Sequence, residues 1–225
     1  MITVIQHGKN EPAGTITEYL VAHNEPFQIL RLYKDDPLPD DPPEKLIILG
    51  GQMSVNDENL YPFLSAEKKL VRKAIERDCT VLGICLGAQM IASACGRRVF
   101  QDEKEVGWRT IYGCSPAWNQ MFPRSFEVFQ WHAETFDLPE GATLLARGDV
   151  ITNQAFIIRN ALGIQFHPEV TAPVITKWSQ ELIDTMRLPL LKEVGMKIEE
   201  YKQLSELIMD SFCTCWNKET GGKPE

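Results

Sequence analysis

Apolar and polar positions fall into two regimes along this chain, and they meet near residue 97. Before that point, short runs of buried-type residues alternate with helical patterns. Ile2 to Ile5 predicts a first strand, Ile16 to Ala22 a short helix, and Phe27 to Leu32 a second strand. The Pro/Asp-rich stretch "DDPLPDDPPEK" (35–45) suits neither a helix nor a central strand, and it delivers the chain into "LIILGG", an apolar run that ends in two glycines. "SAEKKLVRKAIERD" (65–78) predicts a surface helix capped by Ser65, with Leu70, Ala74 and Ile75 on one stripe. Thr80 to Ile84 then predicts a strand and Leu86 to Ala94 a helix.

From Arg97 to Phe166 the periodicity shortens. "WRTIYG", "FEVFQWH", "TLLARG", "QAFIIR" and "GIQF" follow one another between Gly, Pro, Asn and Asp, which predicts an antiparallel part of the sheet. After "HPEV" the pattern becomes helical again, over Val174 to Met186 and Met196 to Trp216, and the polar tail "KETGGKPE" follows. Parallel strands joined by crossover helices predict an α/β fold with an open, mixed, mostly parallel central sheet flanked by helices. Ligands of such sheets gather beyond the carboxyl ends of the strands, where both glycine turns fall. We expect one domain over 1–225, with a core of about 1–190 and a helical C-terminal extension of about 191–225.

Composition narrows the partners. A net charge of −8 leaves no basic excess to displace counterions from nucleic acid or to bind an anionic membrane, so small molecules or proteins are the expected partners. No stretch is long and apolar enough to span a bilayer, and the N-terminus lacks the pattern of a signal peptide. Six cysteines without a dense framework fit a reducing, cytoplasmic setting. Cys213 and Cys215 form a C-x-C pair, but a structural zinc site needs four ligands and no second pair lies nearby, so neither a metal nor a cofactor is expected.

The chemistry centres on "VLGICLGAQ" (81–89). A strand, a sharp turn and a helix put Cys85 at the apex of a nucleophile elbow, where Gly83 and Gly87 remove side chains that would crowd the turn. A thiol at a helix N-terminus meets a positive dipole end, which favours the reactive thiolate, and we expect it to be exposed. Leu86 N–H is then placed to meet an oxyanion beside the sulfur. Of the histidines His7, His23, His132 and His167, the last has the best context as acid/base partner. Pro168 ends its strand, and Glu169, two residues on, falls near the same side of an extended segment and can orient the imidazole.

"GICLGAQ" followed by "FHPE" resembles the class I glutamine amidotransferases, whose glutaminase domains carry G-x-C-x-G-x-Q and H-P-E. "LIILGGQMSV" is similar to that family's oxyanion-strand loop, and "EVGW" and "FQWHAETFDLP" resemble the stand-alone branch related to the glutaminase domain of GMP synthase. The resemblance covers about Ile2 to Glu169 and implies a flavodoxin-like sheet. It also implies that Cys85 attacks the side-chain amide of glutamine, releasing ammonia from a glutamyl thioester that water hydrolyses, with His167 and Glu169 completing the triad. Gly51 and Leu86 would supply the oxyanion N–H groups, and Gln89, Trp131, His132, Ala133 and Glu134 would contact the substrate. Gln52 stands where the family often has proline, and Ala133 where many members have glycine.

Other residues have plainer expected roles. His7 and His23 read as structural or exposed, Glu105 as a solvated carboxylate beside a packing tryptophan, and Ile198, Tyr201, Leu204, Leu207 and Ile208 as a packing face. Without a Walker-type phosphate loop or an acceptor-activating domain, a glutaminase of this kind would pass ammonia to a separate synthase subunit. The alternatives are a γ-glutamyl peptidase or hydrolase with the same triad and, third, a catalytically silent binding module.

Overall fold

The computed structural model describes residues 1–214, so Cys215 of the C-x-C pair and the polar tail lie outside the described residues. Strands β1 (Ile2–Gln6), β2 (Phe27–Arg31), β3 (Lys45–Ile48), β4 (Thr80–Ile84), β5 (Val99–Gly113), β6 (Ser125–Phe136), β7 (Thr143–Gly148), β8 (Ala155–Ile158) and β9 (Ala161–Ile164) form one sheet in the order β2-β1-β3-β4-β9-β8-β7-β5-β6. Pairing is parallel from β2 to β9 and antiparallel from β9 to β6. The two regimes of the sequence are thus two halves of one sheet.

Neighbouring residues of the central strands serve opposite faces. Ile47 and Leu49 join the core under α1 (Gly14–Ala22), α5 (Ala172–Trp178) and α6 (Asp184–Cys213), whereas Leu46 and Ile48 join the core under α2 (Phe63–Glu76) and α3 (Leu86–Ala94). Burial on both faces is why these strands read as continuous apolar runs. Among the described residues, no helix is long and apolar enough to cross a membrane.

Several local expectations need correction. Ser65 does not cap α2, which starts at Phe63 behind Pro62, because Pro62 already has helical backbone angles and lets the helix begin earlier. The expected break between two C-terminal helices is also absent: a 3₁₀ turn (Ser179–Glu181) follows α5, and α6 then runs unbroken through Pro189. Leu190, Val194, Ile198, Tyr201, Leu204, Ile208 and Phe212 are all buried and form one stripe, so burial holds the helix together across the hydrogen bond that Pro189 cannot donate. Leu207 lies off that stripe and is exposed.

The chain ends meet on one face. Thr15 on α1 bonds Ser205 on α6 at 2.7 Å, Tyr19 bonds Asp210, and Lys45 Nζ donates to the Cys213 carbonyl. A short helix α4 (Pro116–Met121), capped by Ser115, links β5 to β6. The β3, β4 and β9 ends lie side by side, with Ile48 paired to Gly83 and Ile84 to Ile164, so the residues that follow each strand converge.

Candidate active site

Cys85 leaves β4 with φ 52° and ψ −105°, outside the ordinary regions for a residue with a β-carbon. The surroundings impose this angle. Its N–H donates to Ile164 O at 2.8 Å and its carbonyl accepts from Gln89 N–H at 3.1 Å, so both sides of the turn are pinned. A β-carbon on Gly83 would lie 2.4 Å from Gly87 O, and one on Gly87 would lie 2.2 Å from Ile48 O, which explains the glycines around the elbow. The elbow follows the sequence reading, but the expected exposure of the thiol does not. Cys85 is only 6 % exposed, because the Gly50–Gly51 loop and His167 lie over it. It still lines the floor of a cleft.

His167 follows β9 and faces the elbow. Its Nδ1 is 2.8 Å from Glu169 Oε1, both side chains are buried, and Nε2 is buried without an aligned hydrogen-bond partner. The segment is held by backbone: His167 N–H donates to Phe129 O, and the Tyr201 hydroxyl donates to His167 O while accepting from Phe129 N–H, each at about 3.0 Å. Thr15 N–H donates to Glu169 O at 3.0 Å. The Trp178 ring packs edge-on to the imidazole at 5.0 Å.

Burial pulls the His167 pKa down, but the Glu169 charge, the nearby Cys85 and hydrogen bonding outweigh it and raise the pKa well above 6.5. Protonated His167 therefore contributes stability that is full below about pH 6.5 and is lost as pH rises through the folded pKa. The urea-unfolding free-energy gap between wild type and His167→Gln is expected to be widest at pH 6 and to shrink steadily toward pH 9; a gap that widens with pH would contradict this.

The cleft has a volume of about 710 Å³ and is lined by Gly51, Cys85, Gln89, Trp131, His132, Ala133, Glu134 and His167 among others. These sequence-selected residues come together from distant segments. Glu169 stands behind His167, and Leu86 is buried with its N–H at the head of α3, where no intrahelical carbonyl is available. Gln89 Nε2 donates to Glu134 O at 3.2 Å, tying α3 to β6. His132 has both ring nitrogens engaged, Nδ1 with Glu134 O at 3.1 Å and Nε2 with Gln130 Oε1 at 3.1 Å. Glu105 is not solvated. It is 2 % exposed, accepts from Gln154 Nε2 and lies 3.3 Å from His132 Nε2, because a register shift in β5 between Gln101 and Glu105 precedes it and the partner strands supply buried polar groups.

The sequence reading missed Glu11, Ser54, Asp57, Lys104, Trp178 and Glu181 on the cleft wall. Glu11 follows β1, so the rule that ligands gather past strand ends offered a signal for it; Trp178 offered none. Burial pushes the carboxyls of Glu11 and Glu134 above their ordinary range, opposed for Glu11 by Gln52 and for Glu134 by Ser54. The Ser54–Asp57 turn and the Asn56 bond to Val99 O hold this wall in place. His23 is exposed, and His7 is buried against Glu67.

An open α/β sheet that carries a thiol on a strand–helix elbow, beside a histidine–carboxylate pair on the next strand, has the architecture of cysteine-nucleophile amidotransferases and hydrolases. The chain belongs to the class-I glutamine amidotransferase family, whose model matches residues 13–179. It is 29 % identical over 218 residues to the glutamine amidotransferase-like protein YfeJ of Salmonella typhimurium, covering 90 % of this chain and 91 % of that one. A separately encoded subunit of the glutamine-hydrolysing GMP synthase of Methanocaldococcus jannaschii is 32 % identical over 145 residues, covering 61 % of this chain and 72 % of that one. Among solved structures, a glutamine amidotransferase from Thermotoga maritima superposes with a TM-score of 0.85 at 30 % identity, covering 94 % of this chain and 96 % of that chain.

Proposed function

We propose that this protein hydrolyses the side-chain amide of glutamine to glutamate and ammonia, with Cys85, His167 and Glu169 as its catalytic triad. The observation that carries this reading is the unpartnered, buried Nε2 of His167 beside Cys85, with Nδ1 already committed to Glu169. Cys85 Sγ attacks the amide carbon, and the charge that develops on the amide oxygen is met by the N–H groups of Leu86 and Gly51. His167 gives its proton to the departing nitrogen, and ammonia leaves a glutamyl thioester. Water then loses a proton to His167 and attacks the thioester; glutamate departs and the thiol is restored. Glu169 keeps the imidazole oriented throughout.

Gln89, Trp131, His132, Ala133 and Glu134 form the substrate wall in this scheme. With His132 nitrogens engaged internally, its part is to shape β6. The half-buried carboxylates of Glu134 and Glu11 suit the ammonium group of an amino-acid substrate. The chain works as one catalytic unit, and the ammonia passes to a separate synthase; the relation to one subunit of a GMP synthase supports that arrangement. A γ-glutamyl hydrolase is the second reading, favoured by a cleft of about 710 Å³, which exceeds what one glutamine side chain fills. Ammonia and glutamate release from L-glutamine, set against cleavage of a γ-glutamyl dipeptide, separates the two. Cys85-dependent release from glutamine supports the glutaminase, dipeptide preference supports the hydrolase, and silence on both overturns both.

A further inference from the structure

His7 follows β1, and with 1 % exposure it is out of reach of solvent and substrate. Its Nε2 lies 3.0 Å from each carboxylate oxygen of Glu67 on α2, and its Nδ1 lies 3.2 Å from Gly50 O. A carbonyl oxygen only accepts, so Nδ1 carries a hydrogen in that contact, and Nε2 and Glu67 share another. Removing a histidine and a glutamate from water together is costly, and apolar residues of similar volume would fill the same space. The pair's one reach beyond itself is toward the β3 loop.

That loop is closely confined. A β-carbon on Gly50 would lie 3.0 Å from His167 Cε1 and 3.6 Å from Cys85 Cβ, while one on Gly51 would lie 3.1 Å from His7 Cβ. The Gly50–Gly51 peptide therefore runs between His7 and the elbow. In a trans peptide the carbonyl of Gly50 and the N–H of Gly51 point in opposite directions, so fixing one fixes the other. Two consecutive glycines have no side chains to resist rotation of the peptide between them.

Taking the chain as a Cys85-dependent amide hydrolase, we infer that His7 and Glu67 are a positioning pair for the oxyanion loop. Glu67 orients the imidazole, the imidazole grips Gly50 O, and Gly51 N–H is thereby held toward the cleft. Without the grip the peptide rotates, leaving Leu86 N–H as the sole remaining donor of the proposed pair.

Two side-chain amides separate the halves of this device. In His7→Asn the amide nitrogen stands near the place of Nδ1 and keeps a donor for Gly50 O; in His7→Gln it reaches Glu67 instead. For His7→Gln, kcat on the substrate that wild type cleaves is expected to fall about 10²-fold with KM within about twofold, whereas His7→Asn stays within about tenfold of wild type. Alkylation of Cys85 by iodoacetamide, followed by peptide mass spectrometry, forms no oxyanion and is expected to proceed at wild-type rate in both. Equal kcat in wild type and His7→Gln overturns the inference, as does an equal loss in both variants or a matching loss of alkylation. Should His7→Gln fail to fold, Glu67→Met, which keeps the volume and removes the acceptor, is expected to show the same kcat loss with intact alkylation. A wild type inert toward both glutamine and the γ-glutamyl dipeptide is the distinct signature of a failed hydrolase reading, and the inference falls with it.

Discussion

Cys85→Ala is expected to lower ammonia release from glutamine by about 10⁴-fold or more, without loss of fold. The size follows from the chemistry: without sulfur there is no thioester, and the residual route is direct attack by water on an unactivated amide. His167→Asn is expected to cost nearly as much, because Nε2 is the one unpartnered nitrogen placed to take and return the proton. Glu169→Gln is expected to lose about 10³-fold, since an amide can still bond Nδ1 yet cannot balance the imidazolium charge. The Cys85→Ala/His167→Asn double variant is expected to be no worse than the single changes, because the residues act as a unit. Steady-state ammonia release, with thermal midpoints checked alongside, decides it; a Cys85→Ala protein with wild-type turnover would remove the nucleophile from the mechanism.

Gly14→Ala is expected to harm both stability and turnover although Gly14 lies outside the cleft lining. Its φ is +47°, and a β-carbon there would lie 2.0 Å from Glu169 O, a backbone atom that cannot step aside cheaply. To relieve the clash, Glu169 must retreat, breaking the bond from Thr15 N–H and disturbing the one to His167. A loss of about 3 kcal/mol is expected, or about 6–12 °C in thermal midpoint, together with a fall in kcat of at least tenfold. Gly141→Ala is the matched control: its φ is +78° but its β-carbon meets nothing within 4 Å, so it bears the left-handed penalty of about 1 kcal/mol and leaves turnover intact. Equal effects at the two positions would show that backbone conformation, not the approach to Glu169, governs Gly14.

The sequence made local order legible and left distant pairing dark. The elbow, the H-P-E segment and the parallel strands are written in contiguous residues, so periodicity and glycine placement reveal them. Glu105 misled because its neighbours in sequence are polar, while its partner Gln154 lies 49 positions away. His7 and Glu67 are 60 residues apart, and nothing in either segment marks the other. Pro189 read as a helix end, since a local rule for proline cannot see the buried stripe that carries α6 past it. Cys85 reads as an exposed turn residue; its burial comes from the loops after β3 and β9, which reach it only through the fold.

Tyr201 lies beyond the segment that the family model matches, yet its hydroxyl joins the backbone of His167 to that of Phe129. Strand β1, paired on both sides in the sheet, lies before that segment. An expression fragment trimmed to residues 13–179 would discard a central strand from one end and the clasp on the acid/base segment from the other. Minimal versions of this protein, and fusions that reshape its C-terminal helix, therefore need to be designed around Tyr201 as part of the working unit.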